Sequence, residues 1–209
     1  DLGLFDTAQM LYHQSITFFD EQQDLYWQVL CQHGLGYIYY VIGNLPLALH
    51  HLTITRQLTQ QHTIPYLEHV VLIDLGYTLT ALGADQAAVC FEQAIHLGEP
   101  RQRYSTVSNA YIGLAKLALH HNDKAQARQA AEEALRQWTM GRTDRAEPRR
   151  FYWHCYEVLQ ALGDPRAQAI LQQGYTDLMQ TAATLADPLL RRSFLENVPI
   201  NRALAVAVQ

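Results

Sequence analysis

Apolar residues along this chain recur three and four positions apart, and nowhere do they alternate with polar ones for long enough to make a strand. The chain therefore reads as a succession of amphipathic helices. Such runs are "CQHGLGYIYYVIGN" (31–44), "HVVLIDLGYTLTALGAD" (69–85), "SNAYIGLAKLALHHND" (108–123) and "FYWHCYEVLQALGDP" (151–165). Each stops at a turn signal: Gly43-Asn44, Gly83, Asn122-Asp123 and Gly163. A second helical run follows each turn. Pro46 is expected in the first turn of one, Asp123 as the N-cap of another, and Asp164 as a cap with Pro165 at the first helical position of the last. Pro65, Pro100 and Pro148 sit just before or at the start of the helices that open the pairs.

The second runs share a marker: an alanine, a usually bulky residue four positions on, and a small one seven on. It occurs as Ala8-Tyr12-Ser15, Ala48-Leu52-Thr55, Ala87-Phe91-Ala94, Ala127-Ala131-Ala134 and Ala167-Leu171-Gly174. Successive alanines are 40, 39, 40 and 40 residues apart. Offsets of four and seven lie on one helical face. Small residues there let a neighbouring helix come close, and the bulky one fills the space between. The unit is thus a helix A, a tight turn, a helix B and a loop. One such hairpin cannot bury its apolar face alone, so the units must stack.

The unit resembles the tetratricopeptide repeat, which has Leu-Gly and then an aromatic in helix A, and Ala-x3-Phe-x2-Ala in helix B. Leu35-Gly36 with Tyr39 and Ala48, and Leu75-Gly76 with Leu79, Ala87, Phe91 and Ala94, carry the likeness. Leu114-Ala115 and Cys155-Tyr156 depart from it, and the period of about 40 exceeds the family's usual length. The segment "DPLLRRSFLENVPINR" (187–202) and the run before it resemble the end of the tetratricopeptide regions in large multidomain bacterial signalling ATPases, cyclases and transcriptional activators. The expectation is an all-α, right-handed α-solenoid in one domain over 1–209. It comprises a half repeat at 5–20, repeats at 22–61, 64–98, 101–140 and 147–186, and a capping helix at 187–202. That helix would put Leu189, Leu190, Phe194, Leu195 and Val198 on its apolar side. The absent helix A of the half repeat, and a start at Asp1 rather than Met, suggest a piece cut from a longer protein.

Composition adds constraints. Residues 1–100 hold ten Asp/Glu against the single Arg56, whereas residues 101–209 hold ten Asp/Glu against 14 Lys/Arg. An acidic half joined to a mildly basic one suits polar partners and is far from the basicity of a nucleic-acid-binding module. Cys31, Cys90 and Cys155 form no C-x-x-C pair and read as buried, reduced thiols of a cytoplasmic protein. No apolar run reaches the roughly 18 residues of a membrane span.

Where the resemblance holds, helix A residues line the concave face. This selects Leu30, His33, Tyr37 and Tyr40; Val70, Ile73, Tyr77 and Thr80; Asn109, Ile112, Lys116 and Leu119; and Arg150, Trp153, Glu157 and Gln160. The binding set taken from it is His33, Tyr37, Tyr40, Ile73, Tyr77, Asn109, Lys116, Arg150, Trp153 and Glu157. Aromatics with scattered polar groups suit a peptide or helix laid in a groove. The competing reading has the tyrosines packing between helices. A basic cluster, Arg142, Arg145, Arg149 and Arg150, with Arg101 and Arg103 one unit earlier, is a weaker candidate that Asp144 and Glu147 can neutralise.

Catalysis finds no support. The ten histidines include no H-x3-H or H-E-x-x-H, and no G-x-S-x-G, G-x4-G-K-[ST] or G-x-G-x-x-G occurs. No metal or cofactor is expected, and the paired carboxylates Glu132-Glu133 read as solvated. The expected function is a non-catalytic sensor or scaffold module that binds a protein or peptide, in trans or within the parent chain. The alternative is a structural or oligomerisation arm for an attached enzyme or DNA-binding domain.

Overall fold

A computed structural model describes residues 2–62, 64–141 and 147–208, without the side chains of Pro65 and Tyr66. Its described residues form helices and turns, with no strand among them. In chain order the helices are α1 (Phe5–Glu21), α2 (Leu25–Val41), α3 (Leu45–Gln61), α4 (Pro65–Ala81), α5 (Ala87–Gly98), α6 (Tyr104–His120), α7 (Lys124–Met140), α8 (Pro148–Leu162), α9 (Ala167–Thr184), α10 (Pro188–Glu196) and α11 (Pro199–Ala207). A 3₁₀ turn, Glu99–Arg101, precedes α6.

Side chains cap several helices, Asp123 among them as expected. Asp24, Asn44 and Asp123 accept hydrogen bonds from the backbone N–H groups of Trp27, Leu47 and Gln126. Each satisfies a donor that the first helical turn leaves unpaired. At the turn inside each A–B pair one residue takes the left-handed conformation: Gly43 (φ +82°), Gly83 (+70°), Asn122 (+59°) and Gly163 (+69°). The residue after it donates back across the helix end, Asn44 to Tyr39, Ala84 to Leu79, Asp123 to Ala118 and Asp164 to Leu159, all at 2.8–2.9 Å.

Two expectations about helix ends need correction. Pro165 does not open a helix. The Asp164 carboxylate accepts from the Arg166 N–H at 2.9 Å, which holds Pro165 in a turn, and α9 starts at Ala167. The segment 187–202 is two helices rather than one. Pro199 has no N–H to continue the ladder of α10 and forces Val198 into extended backbone (φ −78°, ψ 114°), so the chain turns and restarts as α11. Phe194 and Val198 are buried, but Leu189 stands exposed.

The chain divides into two compact units, residues 4–94 and residues 1–3 with 95–209, the boundary falling inside α5. In the first, α2 packs on α3, and α4 on α3 and α2. In the second, α6 packs on α7 and α8, α8 on α9, and α10 and α11 close over α8 and α9. There Phe194 and Leu204 join Leu171, Leu178 and Ala182 in one apolar cluster, with Leu2 against it. A larger cluster joins Trp138, stacked on Phe151 with ring centroids 4.1 Å apart, to Ile112, Cys155 and Leu159.

The marker residues form the seams. All three members of the copies beginning at Ala48, Ala87, Ala127 and Ala167 are buried. Ala8, Tyr12 and Ser15 are half-buried. In the copies at Ala48 and Ala87 the bulky member lies on a glycine of helix A. A Cβ at Gly36 would stand 2.7 Å from the Leu52 side chain, and one at Gly76 would stand 2.5 Å from the Phe91 ring. Gly76→Ala is therefore expected to cost about 1–3 kcal/mol by overpacking. Phe91→Ala should cost about 3–5 kcal/mol by opening a cavity. Adding Phe91→Leu to Gly76→Ala should restore part of the loss. Urea unfolding of wild type, Gly76→Ala, Phe91→Leu and their double variant measures this, and additive losses in the double variant would refute the contact as the cause.

Candidate binding surface on the A helices

The A helices of the first unit are α2 and α4. His33 Nε2 on α2 lies 2.7 Å from Asp74 Oδ2 on α4, and the carboxylate is buried. Tyr40 and Tyr77 face each other with ring centroids 6.4 Å apart, and Tyr77 meets Phe91 edge-on at 5.3 Å. His33, Tyr37 and Tyr40 are half-buried, whereas Ile73 and Tyr77 are buried.

In the second unit the A helices are α6 and α8. Lys116 Nζ on α6 stands 2.8 Å from both Glu157 Oε2 and His154 Nδ1 on α8, and those two atoms are 2.9 Å apart. The single Nδ1 either accepts from Lys116 or donates to Glu157, so these contacts are alternative proton arrangements of one three-membered cluster. Burial, and after it the Lys116 charge, holds the His154 imidazole down at about 4, which keeps it neutral at pH 7. Burial alone would raise the Glu157 carboxyl. The His154 hydrogen bond and the Lys116 charge outweigh it and bring that carboxyl to about 2. Beside the cluster Trp153 and Tyr156 lie 5.6 Å apart. Lys116, Trp153 and Glu157 are half-buried.

Four of the ten selected residues are therefore not surface groups. Ile73 and Tyr77 belong to the apolar packing of their unit. Asn109 is buried and donates from Nδ2 to the Ser105 carbonyl one turn back, at 2.9 Å. Arg150 is buried, with Nε 2.8 Å from a Glu147 carboxylate oxygen. Each lies where one A helix meets its neighbours, so its side chain is enclosed. Six remain partly accessible: His33, Tyr37 and Tyr40 in one unit, Lys116, Trp153 and Glu157 in the other.

Asp74 and His154 were not selected from the sequence, yet they hold the two polar clusters together. The repeat carried the signal. Asp74 follows His33 by 41 residues, Glu157 follows Lys116 by 41 and His154 follows it by 38. Residues about one period apart on A helices are spatial neighbours.

Arg149 and Arg101, from the two arginine loops, are engaged within the chain. Arg149 Nη1 lies 3.1 Å from Asp177 and its guanidinium 5.1 Å from the centroid of the Phe194 ring, while Arg101 donates to the Leu97 carbonyl at 2.7 Å. Arg142, Arg145 and Asp144 lie outside the described residues. Glu132 is not solvated alone, since Arg166 bridges it to Asp164. Cys31, Cys90 and Cys155 are free and buried, and burial pushes the Cys155 thiol up to about 12. Among the described residues no three His, Cys, Asp or Glu side chains are grouped to hold a metal ion. No helix there is long and apolar enough to cross a membrane.

Among solved structures, this chain folds like BtubC (BKLC) from P. vanneervenii. The crystal structure of that protein superposes with a TM-score of 0.64 over 88% of this chain and 77% of the other, at 17% sequence identity. At that identity the likeness speaks for the fold. No family model matches the chain, and no curated protein matches it.

The cluster on α6 and α8 makes the second unit acid-sensitive. An unfolded histidine takes its proton near 6.5 but folded His154 only near 4, so stability falls as pH drops between those values. Folded Glu157 keeps its charge to about 2 against an ordinary 4.5, so its contribution is full above 4.5 and is lost as pH falls toward 2. In a Trp27→Phe background, Trp138 and Trp153 report this unit alone. The urea midpoint is expected to decline from pH 7 to 4.5, and His154→Gln to flatten that decline. An equal slope in both proteins would remove His154 as its cause.

Proposed function

We propose that this chain is a tetratricopeptide-like, right-handed α-solenoid whose A helices bind a protein or peptide, without catalysis, as a sensor or scaffold module. The observation that carries the reading is the makeup of the accessible A-helix surface. In each unit it combines half-buried aromatics with polar groups already ordered by neighbours: Tyr37 and Tyr40 beside His33–Asp74, and Trp153 beside Lys116–Glu157. Fixed polar groups and rigid rings lose little entropy on binding, which favours recognition over bare packing. The fold likeness to BtubC supports a helical architecture of this kind and leaves the ligand open. Within a parent signalling protein, occupancy would be passed on as a shift between conformations of the solenoid.

The second reading is a structural arm. It draws on Ile73, Tyr77, Asn109 and Arg150, four selected residues that serve packing. Tyr37→Ala combined with Trp153→Ala separates the two: both side chains are half-buried, and since Trp153 also packs against the Phe194 and Leu204 cluster, circular dichroism first establishes that the double variant is folded. The binding module is expected to capture a partner from source-organism lysate, read by mass spectrometry, and the folded double variant to lose at least about tenfold of it. Equal capture by both proteins would move the binding surface away from Tyr37 and Trp153, and capture by neither would favour the arm.

A further inference from the structure

Three histidines meet where α1 and α3 come against α2. His13 on α1 and His51 on α3 have ring centroids 6.2 Å apart, and His50 meets His51 edge-on at 5.2 Å. Tyr39 on α2 joins them. Its ring stacks on His51 with centroids 5.4 Å apart, and its hydroxyl lies 3.4 Å from His13 Nε2. Gln32, also on α2, places Oε1 2.7 Å from His51 Nδ1. His51 is half-buried, and His13 and His50 are exposed.

No carboxylate on α2 or α3 stands ready to offset a charge here, because residues 25–61 contain no Asp or Glu, and their one Arg or Lys is Arg56. On α1 the nearest carboxylates in sequence, Asp6 and Asp20, are seven residues from His13. That is about 10 Å along the helix, beyond the roughly 8 Å over which exposed charges act in physiological salt. α2 also brings Cys31, which is hydrogen-bonded to Ser15, and His33, which is held by Asp74 of α4. α4, packed on α2 and α3, further carries Glu68 and His69. The charges that act on His51 are nevertheless those of its two histidine neighbours. Burial, and after it the charges of His50 and His13, hold the His51 imidazole below its ordinary value.

The hydrogen bonds do not resist protonation. Gln32 accepts from an Nδ1–H in the neutral and the charged imidazole alike, and the Tyr39 hydroxyl can donate to His13 Nε2 or accept from it. Acid therefore changes the charge of the cluster and not its bonding. The Tyr39 ring face attracts a cation, but it is set against burial and two like charges.

We propose that His13, His50 and His51 form a pH-sensitive joint, which keeps α1 seated on α2 at neutral pH and loosens it as acid charges the three rings together. The joint is built wholly from contacts among α1, α2 and α3. It uses none of the six accessible A-helix residues, so it stands or falls apart from their function.

The test is hydrogen exchange of the full 209-residue protein at pH 7 and pH 5, read by mass spectrometry over residues 5–21. Each rate is referred to the intrinsic exchange rate at its own pH. Protection of this segment is expected to fall at least about tenfold in the wild type. His13→Gln/His50→Gln, which alters exposed side chains alone, should cut that fall to about threefold or less, since burial still acts on His51. Adding His51→Gln should abolish it. Proton NMR titration of the imidazoles supplies an independent readout, in which the His51 midpoint should rise in the double variant as its like-charged neighbours are removed. The proposal is overturned by protection that is equal at the two pH values, by an equal fall in wild type and double variant, or by a His51 midpoint that does not move.

Discussion

The structure depends on how closely an A helix can approach its B helix. Gly36 and Gly76 bring the backbone of α2 and α4 against Leu52 and Phe91 with no room for a methyl group. That spacing sets the depth at which the bulky residue sits, and the alanines around it are buried as a result. Dispersion falls off steeply with distance, so a seam opened by about 0.5–1 Å forfeits roughly a quarter to a half of its packing attraction. The third and fourth pairs meet the same constraint with other residues. Ala131 stands where Leu52 and Phe91 stand, and Gly174 accommodates Tyr152, whose Cβ would lie 2.7 Å from a Cβ there.

Polar groups on the A helices are organised by the same repetition. Because equivalent residues fall about 40 positions apart, a histidine on one A helix meets a carboxylate on the next. A lysine on α6 likewise meets a histidine and a glutamate on α8. Burying such groups is costly unless they are paired. Pairing across helices therefore ties the two A helices to one mutual register, which apolar contacts alone specify less sharply.

Much of this architecture was legible in the residues. The helices, their turns and the marker face followed from offsets of three and four, from glycines at 43, 83 and 163, and from Asp123 as a cap. Asn122 was legible too, since asparagine tolerates the left-handed conformation. The failures have local causes. Pro199 divided a segment whose apolar pattern looked continuous, because periodicity records faces and not the missing N–H. Tyr77 and Arg150 look like surface groups in the sequence, because a repeat pattern assigns a residue to a helix face without telling how far the neighbouring helices enclose that face. Asp74 and His154 become legible only against their counterparts one period away, His33 and Lys116.

The three buried thiols turn the fold into its own clock. Burial raises the thiol of Cys31 and of Cys90 in one unit and that of Cys155 in the other, and none is paired in a disulfide. A thiolate attacks an alkylating reagent and displaces its leaving group, so each buried sulfur reacts only during the moments when the surrounding helices part. The rates at which the three sites are consumed would count those openings separately along the chain, without any label being added to it.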